Sequence, residues 1–110
     1  MFHMLTCFNL KPGIDLESFR SSYVDFVNYM KSIDLVEGSG QIGERQSDTP
    51  MDTDTERDHS YFVIMSFKDR SQVDKAVALL GSHQEPSETA HHAVYSKAKD
   101  PIFICWQDLG

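Results

Sequence analysis

Residues 61–67 read Tyr-Phe-Val-Ile-Met-Ser-Phe, a stretch in which every side chain except that of Ser66 is apolar or aromatic. Residues 102–106, Ile-Phe-Ile-Cys-Trp, have the same character near the end of the chain. β-Branched and aromatic residues favour strands, and a strand that is apolar on both faces is covered on both sides. These two stretches therefore predict two strands of one sheet that is covered on both faces.

A long amphipathic helix is the clearest element of the first third of the chain. Asp15 is a good N-cap, because its carboxylate can accept hydrogen bonds from the free amides of the first turn. Apolar side chains then recur at helical spacing over about five turns: Leu16, Phe19, Tyr23, Phe26, Val27, Met30 and Ile33. Residues 2–10 predict a strand before this helix, and Lys11-Pro12-Gly13 separates the two.

The remaining segments have weaker signals. Residues 35–44 predict a strand that contains three glycines, which favour bulges. Residues 45–59 are polar and acidic, and we expect a mobile, solvated loop there. A second helix is expected from about Ser71 to Gly81, with a stripe formed by Val73, Ala76, Val77 and Leu80. A third helix is expected from Pro86 or Ser87 through Lys99, carrying Ala90, Val94 and Ala98 on one stripe and ended by Asp100-Pro101.

The resulting order, β-α-β-β-α(α)-β, is that of an α+β ferredoxin-like domain over residues 1–110. Right-handed crossovers place the four antiparallel strands in the spatial order last, first, third, second, with the helices on one face. The other face would then expose a large apolar patch, which monomers rarely do. We therefore expect a homodimer in which two sheets pack face to face into an α/β barrel.

Charge and composition exclude several partners. The 110 residues contain 10 Lys and Arg against 17 Asp and Glu, a net charge of −7, so we expect neither nucleic acid nor anionic membrane surfaces as partners. No apolar run approaches the ~20 residues that cross a bilayer. The first residues show no secretory signal, and Cys7 and Cys105 fall too far apart in register for a disulfide. These features predict a cytoplasmic protein with free thiols.

Two short motifs resemble those of the dimeric α/β-barrel superfamily. They are Phe8-Asn9-Leu10-Lys11-Pro12-Gly13, which closes the first strand, and Ala90-His91-His92-Ala93-Val94-Tyr95. That superfamily includes stress-responsive A/B-barrel proteins, antibiotic-biosynthesis-type monooxygenases and haem-degrading monooxygenases. The resemblance implies a homodimer with a pocket between helices and sheet, and its specificity is greater for the fold than for the activity.

The resemblance also bears on cofactors. In the haem-degrading branch, a His at the position of His91 binds the iron, beside an Asn on the first strand and a Trp at the end of the third. Here Phe67 stands at the position of the Trp, and Asn9 is shifted in register. No cofactor is therefore expected, and haem is disfavoured. No metal site is expected either, since His91 and His92 are adjacent on a helix and point about 100° apart.

Five residues are candidates for a site. His91 and Asn9 are the candidate catalytic residues, as a general base and as a holder of a ligand oxygen. Tyr23, Phe67 and Tyr95 are the candidate ligand contacts. Each has a structural alternative: His91 could be a partly buried histidine bonded to a neighbour, Asn9 a cap of the following turn, and Tyr23 a core residue whose hydroxyl needs a partner.

Three classes of function fit this sequence. The first is a dimer that binds a small apolar or aromatic molecule in each protomer. The second is a cofactor-independent monooxygenase that uses the same pocket. The third is a stress-associated dimeric protein without a catalytic site. The first two differ in whether loss of the His91 imidazole abolishes turnover while binding persists, whereas the third requires no cavity beside His91.

Overall fold

The computed structural model describes residues 1–110 as one antiparallel sheet with three helices on one face. The elements are β1 (Phe2–Leu10), α1 (Leu16–Ser32), β2 (Gly38–Ser39), β3 (Gly43–Glu44), β4 (Tyr61–Phe67), α2 (Arg70–Gly81), α3 (Ser87–Tyr95) and β5 (Ala98–Gln107). The sheet order is β2-β4-β1-β5, and β3 also pairs with β4. The expected α+β class and strand order are confirmed. None of the helices combines the length and apolar character needed to span a bilayer.

The second strand of the expected fold is broken into two short pieces. Gly38 pairs with Ser66 and Gly43 pairs with Phe62, so β2 and β3 lie along the same edge of β4. Gly40 donates one hydrogen bond to the Ile64 carbonyl between them. Glycine weakens a strand because it has no side chain to pack, and this edge has three. The sheet therefore has five strands instead of the four expected.

Helix α1 forms as its sequence predicts. The Asp15 carboxylate accepts a hydrogen bond of 2.7 Å from the Ser18 amide, which satisfies one free donor of the first turn. Five members of the apolar stripe are buried against the sheet: Phe19, Tyr23, Phe26, Val27 and Met30. The last expected member, Ile33, caps the helix and is exposed. This helix provides one wall of the core.

The third helix is shorter than expected. It ends at Tyr95, and β5 begins at Ala98, which pairs with Leu10 of β1. The spacing of Ala90, Val94 and Ala98 suits a helix, but the backbone groups at the end of β1 need partners and take them from this segment. Asp100 therefore lies within β5, at a φ of 52°, instead of ending a helix. In α2, Val77 was expected on the core stripe but is exposed.

The two faces of the sheet differ in what covers them. Phe8 points to the helices, where its ring lies 4.5 Å from that of Phe19, and Val63 and Met65 share this face. Because side chains alternate along a strand, the neighbouring residues face the other way. We call this second side the open face. It carries exposed apolar side chains: Ile64, Ile102, Ile104 and Trp106.

The acidic segment 45–59 is folded against the sheet, which corrects the expectation of a mobile, solvated loop. The Arg45 guanidinium donates two hydrogen bonds of 2.8 Å to the Asp52 carboxylate and others to backbone carbonyls of the same segment. His59 is buried and donates from Nε2 to the Asp100 carbonyl at 2.7 Å. Cys7, on the open face, is only 2% exposed, and the charges of this segment act on its thiol. The segment thus covers one end of the open face.

Candidate functional site

A small cavity of about 90 Å³ lies between the helices and the sheet. Strand side chains form its floor and residues of α1 and α3 form its walls. Its lining consists of Met4, Thr6, Phe8, Phe19, Tyr23, Phe26, Val63, Met65, His91, Val94, Tyr95, Ala98, Pro101 and Phe103. Apart from the hydroxyls of Thr6, Tyr23 and Tyr95 and the imidazole of His91, the lining side chains carry no polar group. The cavity is therefore suited to an apolar molecule.

His91 is half-buried in this wall, and its contacts are aromatic. Its ring stacks on that of Phe26 at 5.3 Å and meets the Tyr95 ring edge-on at 4.8 Å. Burial lowers the pKa of His91 below its usual value, although the charge of Glu88 opposes the shift. The imidazole is therefore neutral at neutral pH. A neutral imidazole has one nitrogen that accepts and one that donates, so it can bind a ligand hydroxyl.

Tyr95 lies at the mouth of the cavity. Its hydroxyl donates a long hydrogen bond of 3.5 Å to Glu88, whose other carboxylate oxygen lies 2.9 Å from Nδ1 of His83. Burial and the negative charge of Glu88 raise the pKa of Tyr95, so the phenol stays protonated. The mouth thus has a neutral hydroxyl, which can still accept a hydrogen bond, beside the neutral imidazole.

Tyr23 contributes its ring to the cavity wall and its hydroxyl to the fold. The hydroxyl lies 2.7 Å from Oγ of Ser39, which in turn donates to backbone carbonyls of the sheet edge. Burial raises the pKa of Tyr23, and the hydrogen bond to Ser39 opposes the shift. Tyr23 is thus both a core residue and a lining residue of the cavity.

Asn9 is not brought to His91, which corrects the expected catalytic pair. Its side chain lies on the open face, and Oδ1 accepts a hydrogen bond of 2.8 Å from the Ser60 amide. The alternation of β1 places Phe8 towards the helices and therefore Asn9 away from them. Asn9 holds the end of the segment 45–59, which is neither the catalytic role nor the cap of the following turn that the sequence suggested.

Phe67 is also separate from the cavity. It lies on the helix side of β4 but pairs with Phe2 at the far end of β1, and the two rings meet edge-on at 6.2 Å. It is buried as part of the core. Of the five expected site residues, the structure therefore brings together His91, Tyr95 and Tyr23.

Eleven of the fourteen lining residues are not among the site candidates from sequence, and three of these eleven matter most to the site. Phe26 was assigned only to the helix stripe, and Phe103 to the sheet contact or the core. Phe103 instead stands at the cavity mouth, where it is 58% exposed. Thr6 carried a usable signal, because it is the one hydroxyl residue on the helix-facing positions of β1.

The residues around His91 do not fit a haem. The cavity is smaller than the ~150 Å³ that holds one benzene ring, whereas a haem is a macrocycle of several rings. The Asn of the haem-degrading pattern lies across the sheet, and Phe67 lies outside the cavity. No group of three or more His, Cys, Asp or Glu side chains is arranged to hold a metal ion.

Comparisons with known proteins identify the fold. No protein-family model matches the chain, and no curated protein matches it. Among solved structures, a protein from Arabidopsis thaliana matches with a TM-score of 0.74 and 10% identity, over 100% of this chain and 97% of that one. A dimeric ferredoxin-like protein of unknown function from Jannaschia sp. CCS1 matches with a TM-score of 0.65 and 6% identity, over 97% and 98%.

A structure described as an antibiotic biosynthesis monooxygenase is also similar. Its TM-score is 0.57 at 13% identity, and the match covers 100% of both chains. At such identities the likeness concerns the fold alone. The chain therefore has the ferredoxin-like α+β fold, and the resemblance drawn from the sequence motifs is confirmed at this level.

Proposed function

We propose that the protein is a homodimer that binds a small aromatic or short acyl molecule in the cavity beside His91. The observation that carries this proposal is a neutral, half-buried imidazole in an otherwise apolar wall. Sites for small molecules typically combine apolar walls with a few placed polar groups that fix orientation. His91 and Tyr95 supply those groups at the mouth.

The size of the cavity limits the ligand. At about 90 Å³ it is smaller than the ~150 Å³ that encloses one benzene ring. We infer that the cavity takes only part of a ring or a short chain, and that the remainder of the ligand lies in the mouth beside Tyr95 and Phe103. Both of these side chains are partly exposed, which leaves the mouth open.

A phenol is the ligand that best uses the polar groups. The phenol hydroxyl can donate to the unprotonated ring nitrogen of His91. A protonated imidazole has no such acceptor. One edge of the phenol ring can enter the apolar space against Phe26, which already stacks on His91. A carboxylate would fit this cavity less well, because the charge of Glu88 lies nearby.

The homodimer accounts for the open face. Ile64, Ile104 and Trp106 form an apolar surface that the protein's own helices do not cover. A second copy packed face to face would bury it, as expected for sheets with an apolar outer face. Several structures with this fold are described as dimeric. The free thiols of Cys7 and Cys105 suit a cytoplasmic location for this dimer.

Cofactor-independent monooxygenase-type chemistry is a second candidate, favoured by the similarity to a structure with that name. In this case His91 would take a proton from a bound phenol, which makes the ring more reactive towards oxygen. Oxygen consumption in the presence of a phenolic substrate, lost in His91→Ala while binding persists, would identify an enzyme. A dimer with binding but no turnover would be a binding protein, and a dimer with neither would be a stress-associated protein without a catalytic site.

The binding proposal is tested with phenol and toluene, which have the same ring and differ in the hydroxyl. Calorimetric or NMR titration should show that phenol binds about fivefold more tightly than toluene, since a net hydrogen bond contributes about 1 kcal/mol. His91→Leu should remove this difference and leave toluene binding unchanged. The matched control is His92→Leu, an exposed neighbour on the same helix, which should keep it. Equal affinities for phenol and toluene in the wild type would contradict the proposal.

A further inference from the structure

A second and larger cleft lies outside the cavity, between α1 and the broken edge of the sheet. Its volume is about 550 Å³, within the 300–1,000 Å³ typical of small-molecule sites. One wall is a face of α1 that runs from Arg20 to Lys31. The other is residues 39–42, which include the interruption between β2 and β3. We call it the edge groove.

The edge groove exists because the sheet edge is broken. The helix flank beside the core stripe would normally lie against a continuous strand, but here β2 ends at Ser39 and β3 begins at Gly43. Val24 is consequently 46% exposed, an unusual state for a valine that lies one turn from the buried Val27. The groove therefore has an apolar middle that the fold itself does not cover.

The charges of the edge groove differ from those of the whole chain. Its ionisable lining residues besides Tyr23 are Arg20 and Lys31, both cationic, and no carboxylate lines it, although the chain has a net charge of −7. Arg20 is already paired, since its Nη1 lies 2.6 Å from the Glu17 carboxylate. Lys31 belongs to no salt bridge of the structure, so its ammonium is the cation available to a ligand.

The two ends of the groove are therefore chemically distinct. Lys31 follows Arg20 by eleven positions on α1, which is about 16 Å along the helix axis. At the Lys31 end, Asn28 lies one turn earlier on the same helix face. This amide can donate a hydrogen bond beside the ammonium. Towards the other end, the wall is formed by Val24 and the ring of Tyr23, whose hydroxyl is already bonded to Ser39.

We propose that the edge groove binds an amphipathic organic anion, such as a medium-chain carboxylate, with its acidic group at Lys31 and Asn28 and its apolar chain over Val24 and Val27. Charge complementarity places the acid at the unpaired cation, and the exposed apolar flank receives the chain. This site is distinct from the cavity beside His91, although Tyr23 stands between the two.

The test is an NMR titration of the intact protein with octanoate, below its micellar concentration, and with the neutral octanamide. Octanoate should shift the amide signals of residues 24–31 and 40–42 and should bind more tightly than octanamide. Lys31→Gln should weaken octanoate binding about fivefold, the change expected from an exposed ion pair worth up to about 1 kcal/mol. It should leave octanamide binding unchanged, and Lys31→Arg should retain octanoate affinity.

Two further variants test whether octanoate binding depends on the charge of Lys31 and on the apolar middle of the edge groove. Arg20→Gln should have a smaller effect than Lys31→Gln, because Glu17 already neutralises Arg20. Val24→Asp should weaken the binding of both probes, and the exposure of Val24 makes this substitution compatible with folding. Shifts confined to the cavity beside His91, equal affinities for octanoate and octanamide, or equal losses in Lys31→Gln and Arg20→Gln would each overturn the proposal.

Discussion

The hydroxyl oxygens of Tyr23 and Ser39 lie 2.7 Å apart, and this hydrogen bond joins α1 to the edge of the sheet. Tyr23 is 6% exposed and lines both the cavity and the edge groove. The side chain that separates the two spaces is thus fixed at its far end by a single hydroxyl pair. Its removal should be measurable in stability and in binding.

Tyr23→Phe should lower the free energy of unfolding by about 1 kcal/mol, the usual net value of one hydrogen bond. Ser39→Ala should cost at least as much, because its hydroxyl also donates to the Gly40 and Ile64 carbonyls. The double variant should be no less stable than Ser39→Ala, because both changes remove the bond between the two hydroxyls. Urea unfolding at one fixed protein concentration measures this, since a dimer's stability depends on concentration. Strictly additive losses would show that the two hydroxyls act independently.

The lowered pKa of His91 should make stability depend on pH. Burial lowers its pKa in the folded protein, so the unfolded chain, with its usual value near 6.5, takes up the proton first as the pH falls. The difference in free energy of unfolding between the wild type and His91→Gln should therefore be constant above about pH 6.5. It should decrease below that pH until the pH reaches the pKa of His91 in the folded protein. Phenol affinity should fall only at lower pH, as the folded imidazole itself takes up a proton and loses its acceptor. An NMR titration that places the pKa of His91 at or above 6.5 would contradict this.

Ile64→Lys should dissociate the dimer. Ile64 lies at the centre of the open face, and a lysine there would place a charge inside the contact between two sheets, where burial of an unpaired charge is costly. Sedimentation velocity or native mass spectrometry should show a folded monomer near 12.5 kDa. Val77→Lys is the matched control, since Val77 is an exposed valine on the helix side, and it should stay dimeric. A dimeric Ile64→Lys protein would show that the open face is not the interface.

Arg45→Gln should release the segment 45–59 from the sheet. Arg45 holds the Asp52 carboxylate and the carbonyls of Asp54 and Arg57, and the amide of a glutamine cannot replace all of these hydrogen bonds. In a Cys105→Ser background, the buried Cys7 thiol should then react with a thiol reagent about tenfold faster, as loss of one charge-assisted hydrogen bond implies. The same variant should lose amide protection over residues 46–58. Unchanged Cys7 reactivity would mean that another contact holds the segment.

The parts of the fold that follow from local pattern were predictable from sequence. The N-cap Asp15, the stripe of α1 and the strand order required only periodicity and handedness. The end of α3 was not predictable, because Ala98 satisfies the helical spacing while long-range pairing with Leu10 decides its structure. The break at Gly40 was visible as a weakness of the strand but not as the opening of a groove.

The site was predictable in part for a related reason. His91 and Tyr95 lie on one helix, so their proximity follows from spacing. The sequence predicts Asn9 beside them, because β1 is apolar on both faces and the sequence does not show which face meets the helices. The contact between Phe8 and Phe19 in the structure decides this. Arg45 carried no local signal, since its partners Asp52 and Arg57 meet it only after the segment folds back.

The two edges of the sheet differ in whether another strand could pair with them. β5 is ten residues long and pairs only with β1, so its outer backbone groups can accept another strand. The opposite edge consists of β2 and β3, with two residues each, and offers no continuous template. The interruption that opens the groove therefore also removes a template for strand addition at this edge.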